Sequence, residues 1–485
     1  MLFNSFEYIF LFLPASLLLY LFLNRSKLTT LAKISLILAS FIFYAWWEVS
    51  YLLVILLSVL FNFTVGALLA RRENIPFFSK KALLILGICA NLALLGYFKY
   101  MDFFLENLNT LLGTSYPYLN LALPLGISFF TFQQITYLVD SYKKETKEYN
   151  FLNYTLFVTF FPQLIAGPIV HHKEMLPQFA SKRNLFVNYR NITLGLFIFS
   201  IGLFKKVMIA DRLAVWATNG FDKAESLNML EAWVTSLSYT FQLYFDFSGY
   251  TDMAIGAALL FNIKLPINFN SPHKALNIQD FWRRWHITLT RFLKDYLYIP
   301  LGGNRVGEFR TYLNILVVFL LAGIWHGAGW TFIFWGLLHG LALVVHRLWK
   351  KVAIKLPTLL AWFITFNFIN IAWVFFRAQN FDDALKVLKG MFTGELLLPA
   401  ALESKLSFLK SYGVEFGSYL QAIGAGKTAL LYLFISFLVV VLAKNSTQLI
   451  YETRVGALKM VYASILFTVS VLSLNRVSEF IYFNF

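Results

Sequence analysis

Apolar runs of about twenty residues recur along this chain from end to end, separated by short polar turns. No stretch alternates with the period of two that marks a half-buried strand. A run of that length matches a bilayer core at ~1.5 Å of rise per helical residue. Thirteen candidate spans follow: 6–24, 30–47, 50–70, 82–98, 121–139, 150–169, 189–210, 229–247, 311–325, 330–348, 357–376, 427–444 and 457–476. Helices are preferred over a barrel because the runs are continuous, so the pattern predicts an all-α polytopic membrane protein. It reads as a single integral-membrane domain over 1–485, with its motif-bearing core at about 121–346.

The pattern fails in three places. Phe160 to Val170 (FFPQLIAGPIV) ends an apolar run with Pro162, Gly167 and Pro168, which a continuous helix tolerates poorly and a re-entrant segment accommodates. From Phe261 to Arg310 nothing is apolar enough to span, yet the stretch is rich in aromatic residues. Within it, Asn277 to Lys294 reads as one helix, capped by Asn277 with Asp280 three residues on. Helical spacing then puts Trp282, Trp285, His286 and Leu289 on one face, with Arg283, Arg284 and Arg291 on the others. The third failure lies between Leu313 and Val345, where Gly327, Ala328 and Gly329 follow Trp325 and His326. A break there puts His326 at a helix end, where backbone groups lose their intrahelical partners.

Composition strengthens the membrane reading. Charged residues make up 14% of the chain and hydrophobic ones 59%, against about 25% charged in soluble domains. The net charge of +16 is not a nucleic-acid patch. It sits in short loops at Arg25 and Lys27, Arg71 and Arg72, Lys80 and Lys81, and Lys143, Lys144 and Lys147. Such loops face the cytoplasm and anionic lipid, which places Met1 outside. Both ends outside requires an even number of spans, so at least one of the thirteen is expected to be re-entrant, and the broken 150–169 is the obvious one. The first apolar run follows no basic region and precedes no small-residue cleavage site, so it reads as a retained helix. A single cysteine, Cys89, argues against disulfides, paired-cysteine zinc and thiol catalysis.

Chemistry concentrates between Asp246 and Trp335. A histidine inside a membrane run is costly, and His326 sits in one, flanked by Trp325 and small residues. Its neutral ring can take a proton from an attacking hydroxyl. His286, on the apolar face of the expected helix, is the second candidate. Asp246, Ser248, Trp282, Arg283, Trp285 and Trp325 are the substrate-binding candidates of the same stretch. His171, His172, His273 and His346 read as interfacial or structural, and no pair has metal-ligand spacing with a third ligand nearby, so no metal is expected.

Five segments together resemble the bacterial membrane-bound O-acyltransferases, in the branch that acetylates exported polysaccharides. They are LPLGISFFTFQQITYLVD (Leu123 to Asp140), FPQLIAGPIV (Phe161 to Val170), QLYFDFSGYTDMAIG (Gln242 to Gly256), FWRRWHITLTRFLKDYLYIPLGGNR (Phe281 to Arg305) and GIWHGAGWTFIFWGLLHG (Gly323 to Gly340). The resemblance implies a ring of transmembrane helices around a thin central tunnel, with re-entrant short helices. It matches His326 to the family's invariant histidine and His286 to its second polar tunnel residue. It further implies acetyl-CoA as the donor substrate, with no permanently bound cofactor, in a bacterial inner membrane. The acceptor it implies is peptidoglycan, or alternatively alginate or another exported polysaccharide. The partner is an extracytoplasmic acetyltransferase of the esterase-like SGNH class, since no soluble domain is present to hold the glycan. The segment FIYFNF (Phe480 to Phe485) has the pattern F-x-Y-x-x-F and resembles the acyl-carrying tail used in teichoic-acid D-alanylation, which makes Tyr482 a candidate acyl relay. An aromatic belt at the interface is the plain alternative for that segment. A transporter or flippase is the alternative for the polar midsection.

Overall fold

In hydrocarbon a chain must satisfy its own backbone, and the computed structural model of this protein is built almost wholly of helices. It describes residues 1–71, 79–146, 150–451, 456–474 and 480–481. Tyr482, Arg72 and Lys147, all singled out above, lie outside the described residues.

In chain order the principal helices begin with α1 (Glu7–Arg25), α2 (Thr29–Ala45), α3 (Ser50–Ala70) and α4 (Lys80–Leu112). Next come α5 (Ile127–Tyr142), α6 (Phe151–Thr159), α7 (Phe161–Leu164) and α8 (His172–Phe179). Two long helices, α9 (Tyr189–Lys223) and α10 (Met229–Leu260), lead to two short ones, α11 (Ile278–Arg284) and α12 (Ile287–Leu293). After these come α13 (Glu308–His326), α14 (Trp330–Val352), α15 (Thr358–Arg377), α16 (Phe381–Thr393), α17 (Lys427–Leu442) and α18 (Ala457–Leu472).

Seven of them (α1, α3, α4, α9, α13, α14 and α15) are long and apolar enough to cross a membrane, and α2, α17 and α18 are shorter apolar helices. α5 and α10 match two more expected spans, with polar side chains that are buried. Twelve of the thirteen expected spans therefore each correspond to one helix. The exception is 150–169, which breaks at Phe160, ahead of Pro162, into α6 and the single turn α7. Two boundaries move. α5 begins only at Ile127, after Pro124 and a left-handed Gly126 (φ 70°), and α10 runs to Leu260 because FSGYTD lowers hydropathy without breaking a helix. The chain also holds strands that no periodicity announced: β1 (Leu396–Pro399) pairs in parallel with β2 (Val414–Gly417). Four residues are too few to carry an alternating signal.

The contacts group the chain into two compact units. One comprises Met1–Leu203, Tyr250–Ile267 and the described residues from Ile450 on; the other comprises Phe204–Gly249 and Asn268–Leu449. In the first, several buried polar side chains pair across helices. Asn62 on α3 and Asn91 on α4 exchange amide hydrogen bonds of 3.1 and 2.6 Å, and each also donates to the carbonyl four residues earlier. The broken segment is satisfied in the same way: Phe161 donates its backbone N–H to Ser40 Oγ at 3.1 Å, and Gln163 Nε2 donates to the Phe157 carbonyl at 2.6 Å. Phe12 and Phe43 on α1 and α2 pack on the Phe161 ring at 5.1 and 5.7 Å.

In the second unit α13 and α14 lie against each other along glycine contacts. A β-carbon at Gly336 would stand 3.2 Å from the Gly323 Cα, so only glycine permits this approach. Large apolar side chains such as Leu359 (75% exposed) on α15 and Leu53 (62%) on α3 are exposed and suit lipid.

The reciprocal amide pair makes a quantitative expectation. Asn62→Leu strands the Asn91 amide and is expected to cost about 1 kcal/mol, while the double change Asn62→Leu with Asn91→Leu recovers part of it. Thermal unfolding in detergent measures both, and a single variant as stable as the native protein would contradict the pairing.

Candidate active site

The site is assembled in the second unit from two interruptions of helix. The first is the end of α13. Helix geometry stops at His326 because Gly327 and Gly329 are extended (φ −160° and −169°) before α14 restarts at Trp330. His326 therefore projects from a helix C-terminus, the negative end of the helix dipole, where a developing positive charge is favoured. It is 3% exposed. Its ring lies edge-on to Trp325, Trp335 and Phe376, at 5.0, 5.1 and 5.1 Å between centres.

The second interruption corrects the expected helix over Asn277 to Lys294. Asn277 does cap it, accepting from the Asp280 N–H at 2.8 Å. The helix then stops after Arg284, Trp285 is extended, and His286 takes a left-handed backbone (φ 44°, ψ 52°) before α12 begins. Trp282, Trp285, His286 and Leu289 thus share no single helix face. The physical reason is Asn268, which captures donors that a continuous helix would use internally. Its carbonyl accepts from the Ile287 N–H at 3.0 Å, and its side-chain oxygen accepts from the Thr288 N–H at 3.2 Å and the Thr288 hydroxyl at 2.9 Å. A left-handed non-glycine residue costs roughly 1–2 kcal/mol, and such strain gathers at functional positions.

The two breaks bring the two histidines together. Ring centres of His286 and His326 are 6.4 Å apart, with Trp325 at 6.2 Å from His286. His286 is fully buried, with Phe247 of α10 edge-on at 4.9 Å. It lies outside the spanning helices, and burial draws its ring from the ordinary 6.5 down to about 3, leaving it neutral at pH 7. The pair thus sets two buried imidazoles, His286 neutral, in one aromatic enclosure, an arrangement suited to moving a proton during attack by a hydroxyl.

The other expected residues divide. Trp325 belongs to the enclosure. Trp282 joins it indirectly, with its ring 5.9 Å from Trp335. Trp285 packs on Phe269 and Trp373 at 5.0 and 5.1 Å, beneath the histidine turn. Asp246 adjoins Phe247 but is engaged by Lys206, whose Nζ lies 2.8 Å from it and 2.9 Å from Asp211. Ser248 is buried, and its hydroxyl has no hydrogen-bond partner among the described residues. Arg283 is exposed and stands apart from the histidines.

Three participants escaped the sequence reading. Lys206 carried a usable signal, a charge inside an apolar run, which implies a buried counter-charge. His339 on α14 accepts from Trp282 Nε1 at 3.2 Å and packs on Trp335 at 4.7 Å; its place one turn after Trp335 was the available sign. Asn268 left no trace, because its role depends on a turn that only folding creates.

A polytopic helical membrane protein with a buried histidine pair is a candidate for group transfer inside the bilayer. Residues 41–381 match the model of the MBOAT, membrane-bound O-acyltransferase family, and the chain belongs to that family. It is an acyltransferase, and the transporter reading gives way. The chain is 52% identical to a Helicobacter pylori protein named peptidoglycan O-acetyltransferase, over 100% of this chain and 98% of the relative. It is 41% identical to the probable alginate O-acetylase of Pseudomonas aeruginosa, over 81% of this chain and 75% of the relative. With the teichoic acid D-alanyltransferase of Bacillus subtilis the identity is 28%, over 55% and 71%.

Buried neutral histidines make the fold sensitive to acid. With the folded value near 3 and the unfolded value near 6.5, the unfolded chain binds more protons in between. Stability is therefore complete above about pH 6.5 and declines as pH falls below it. Asn tolerates the left-handed backbone, so His286→Asn should flatten the decline of melting temperature between pH 7.5 and 5. An unchanged pH slope in that variant would remove His286 from this account.

Proposed function

We propose that this protein is an acetyltransferase of a bacterial inner membrane that draws acetyl from cytoplasmic acetyl-CoA and exports it for O-acetylation of peptidoglycan. The observation that carries the reading is the buried pair His286 and His326, 6.4 Å apart, in a chain whose whole length resembles the Helicobacter pylori enzyme. In the step proposed, His326 takes the proton of a hydroxyl as its oxygen attacks the thioester carbonyl. The carbon–sulfur bond breaks, and the departing thiolate recovers that proton from His326. The products are an ester and free CoA.

The hydroxyl is proposed to be that of Tyr482. A phenol near pKa ~10 is closer to a thiol near ~8.5 than a sugar alcohol is, so an acetyl-tyrosine keeps much of the thioester's transfer potential. Support comes from the described start of the same segment: Phe480 is 1% exposed and stacks on Tyr250 of α10 at 4.3 Å. From Tyr482 the acetyl would pass to a serine of an extracytoplasmic SGNH partner and then to a glycan hydroxyl. The resemblance to alginate acetylases favours alginate as the second reading of the acceptor.

Purified protein in detergent should release free CoA from acetyl-CoA in the presence of its acceptor. His326→Ala should lower that release by at least ~10³-fold while leaving the melting temperature near native. Unchanged release would refute the assignment of the base. Radiolabelled acetyl should stay on the native chain and be lost in Tyr482→Phe; label retained by that variant would sink the relay. Transfer of label to peptidoglycan fragments, compared with mannuronate oligomers, separates the two acceptors.

A further inference from the structure

A histidine has two neutral tautomers, and the one present decides whether a given nitrogen accepts or donates. For His286 the surroundings fix the answer. Its Nδ1 lies 3.2 Å from the side-chain oxygen of Asn268. That atom is identified as oxygen by its other contacts, because the Thr288 backbone N–H, which can only donate, points at it from 3.2 Å, and the Thr288 hydroxyl lies 2.9 Å away. Turning the amide over would set its NH₂ against the Thr288 N–H. The oxygen only accepts, so Nδ1 must carry the proton and the lone pair resides on Nε2.

The same residue holds the backbone that aims the ring. Ile287 donates to the Asn268 carbonyl at 3.0 Å, across the left-handed turn at His286. Asn268 is 1% exposed, so water does not compete for these bonds. Of the titratable groups around His286, His326 on α13 faces it, and Asp246, beside Phe247 on α10, is engaged by Lys206.

The geometry points to Asn268 as a positioning residue that locks His286 in the Nδ1–H tautomer, so that His286 enters acyl transfer as a hydrogen-bond acceptor and not as a donor to the thioester carbonyl. This inference rests on the acyl-transfer reading above and adds a division of labour between the two histidines. An Nε2–H ring at the same place would present a donor instead of that acceptor. In a serine protease the loss of the group that fixes the tautomer costs about 10⁴ in kcat.

Two substitutions test it through CoA release measured across pH 5–9. Asn268→Leu removes the acceptor, and kcat should fall by ~10²–10⁴ with KM for acetyl-CoA within about threefold of native. Asn268→Asp keeps an acceptor for all three donors, and activity at pH 8 should return to within about tenfold of native. Its carboxylate also favours a protonated His286, so the acid limb of its kcat profile should move to higher pH. A native kcat in Asn268→Leu would overturn the inference, as would an Asn268→Asp profile that superposes on the native one. If Asn268→Leu does not fold, the Asn268→Asp profile decides alone. Absence of CoA release by the native protein would instead overturn the acyl-transfer reading, so the two failures are distinguishable.

Discussion

A polar group in hydrocarbon keeps a partner or costs several kcal/mol, and this constraint organises the whole chain. It makes the spans helical and pairs Asn62 with Asn91. It ties the broken α6–α7 segment back through Ser40, and sets Lys206 between two aspartates. Where polar side chains gather, as at His286 and His326, the fold has spent stability to keep them there.

The site is built by interrupting helices. α13 ends because two glycines follow His326, and the α11–α12 turn forms because Asn268 takes the donors of Ile287 and Thr288. Each interruption frees a histidine from its helix and points it into an enclosure of Trp325, Trp335, Phe376 and Phe247. The enclosure excludes water, which keeps His286 neutral and strengthens the hydrogen bonds that orient it. The proposed proton transfer and the stability of the fold would thus draw on the same packing, with acid sensitivity as the consequence.

Behind the histidines lies a layer of aromatic and polar contacts. His339 takes the Trp282 N–H and supports Trp335, while Trp373 stacks on Trp335 at 5.5 Å. Lys206 fixes Asp246, whose neighbour Phe247 abuts His286.

Much of this was legible in the chain itself. Length and apolarity of the runs announced the long helices, and Pro162, Gly167 and Pro168 marked the break within 150–169. The glycines after His326 marked its helix end, and the cost of charge in a membrane marked His286 and Asp246. Other features were decided only by the tertiary structure. Asn268 sits 18 residues before His286, and no periodicity links them, so the left-handed turn that cancels the expected helix face could not be read locally. The pairing of Lys206 with Asp246 and of Trp282 with His339 likewise joins residues 40 and 57 positions apart. Helix formation depends on neighbours in sequence, whereas tautomer, orientation and enclosure depend on neighbours in space. For that reason the chain offered the candidate residues, and folding alone settled how each is held.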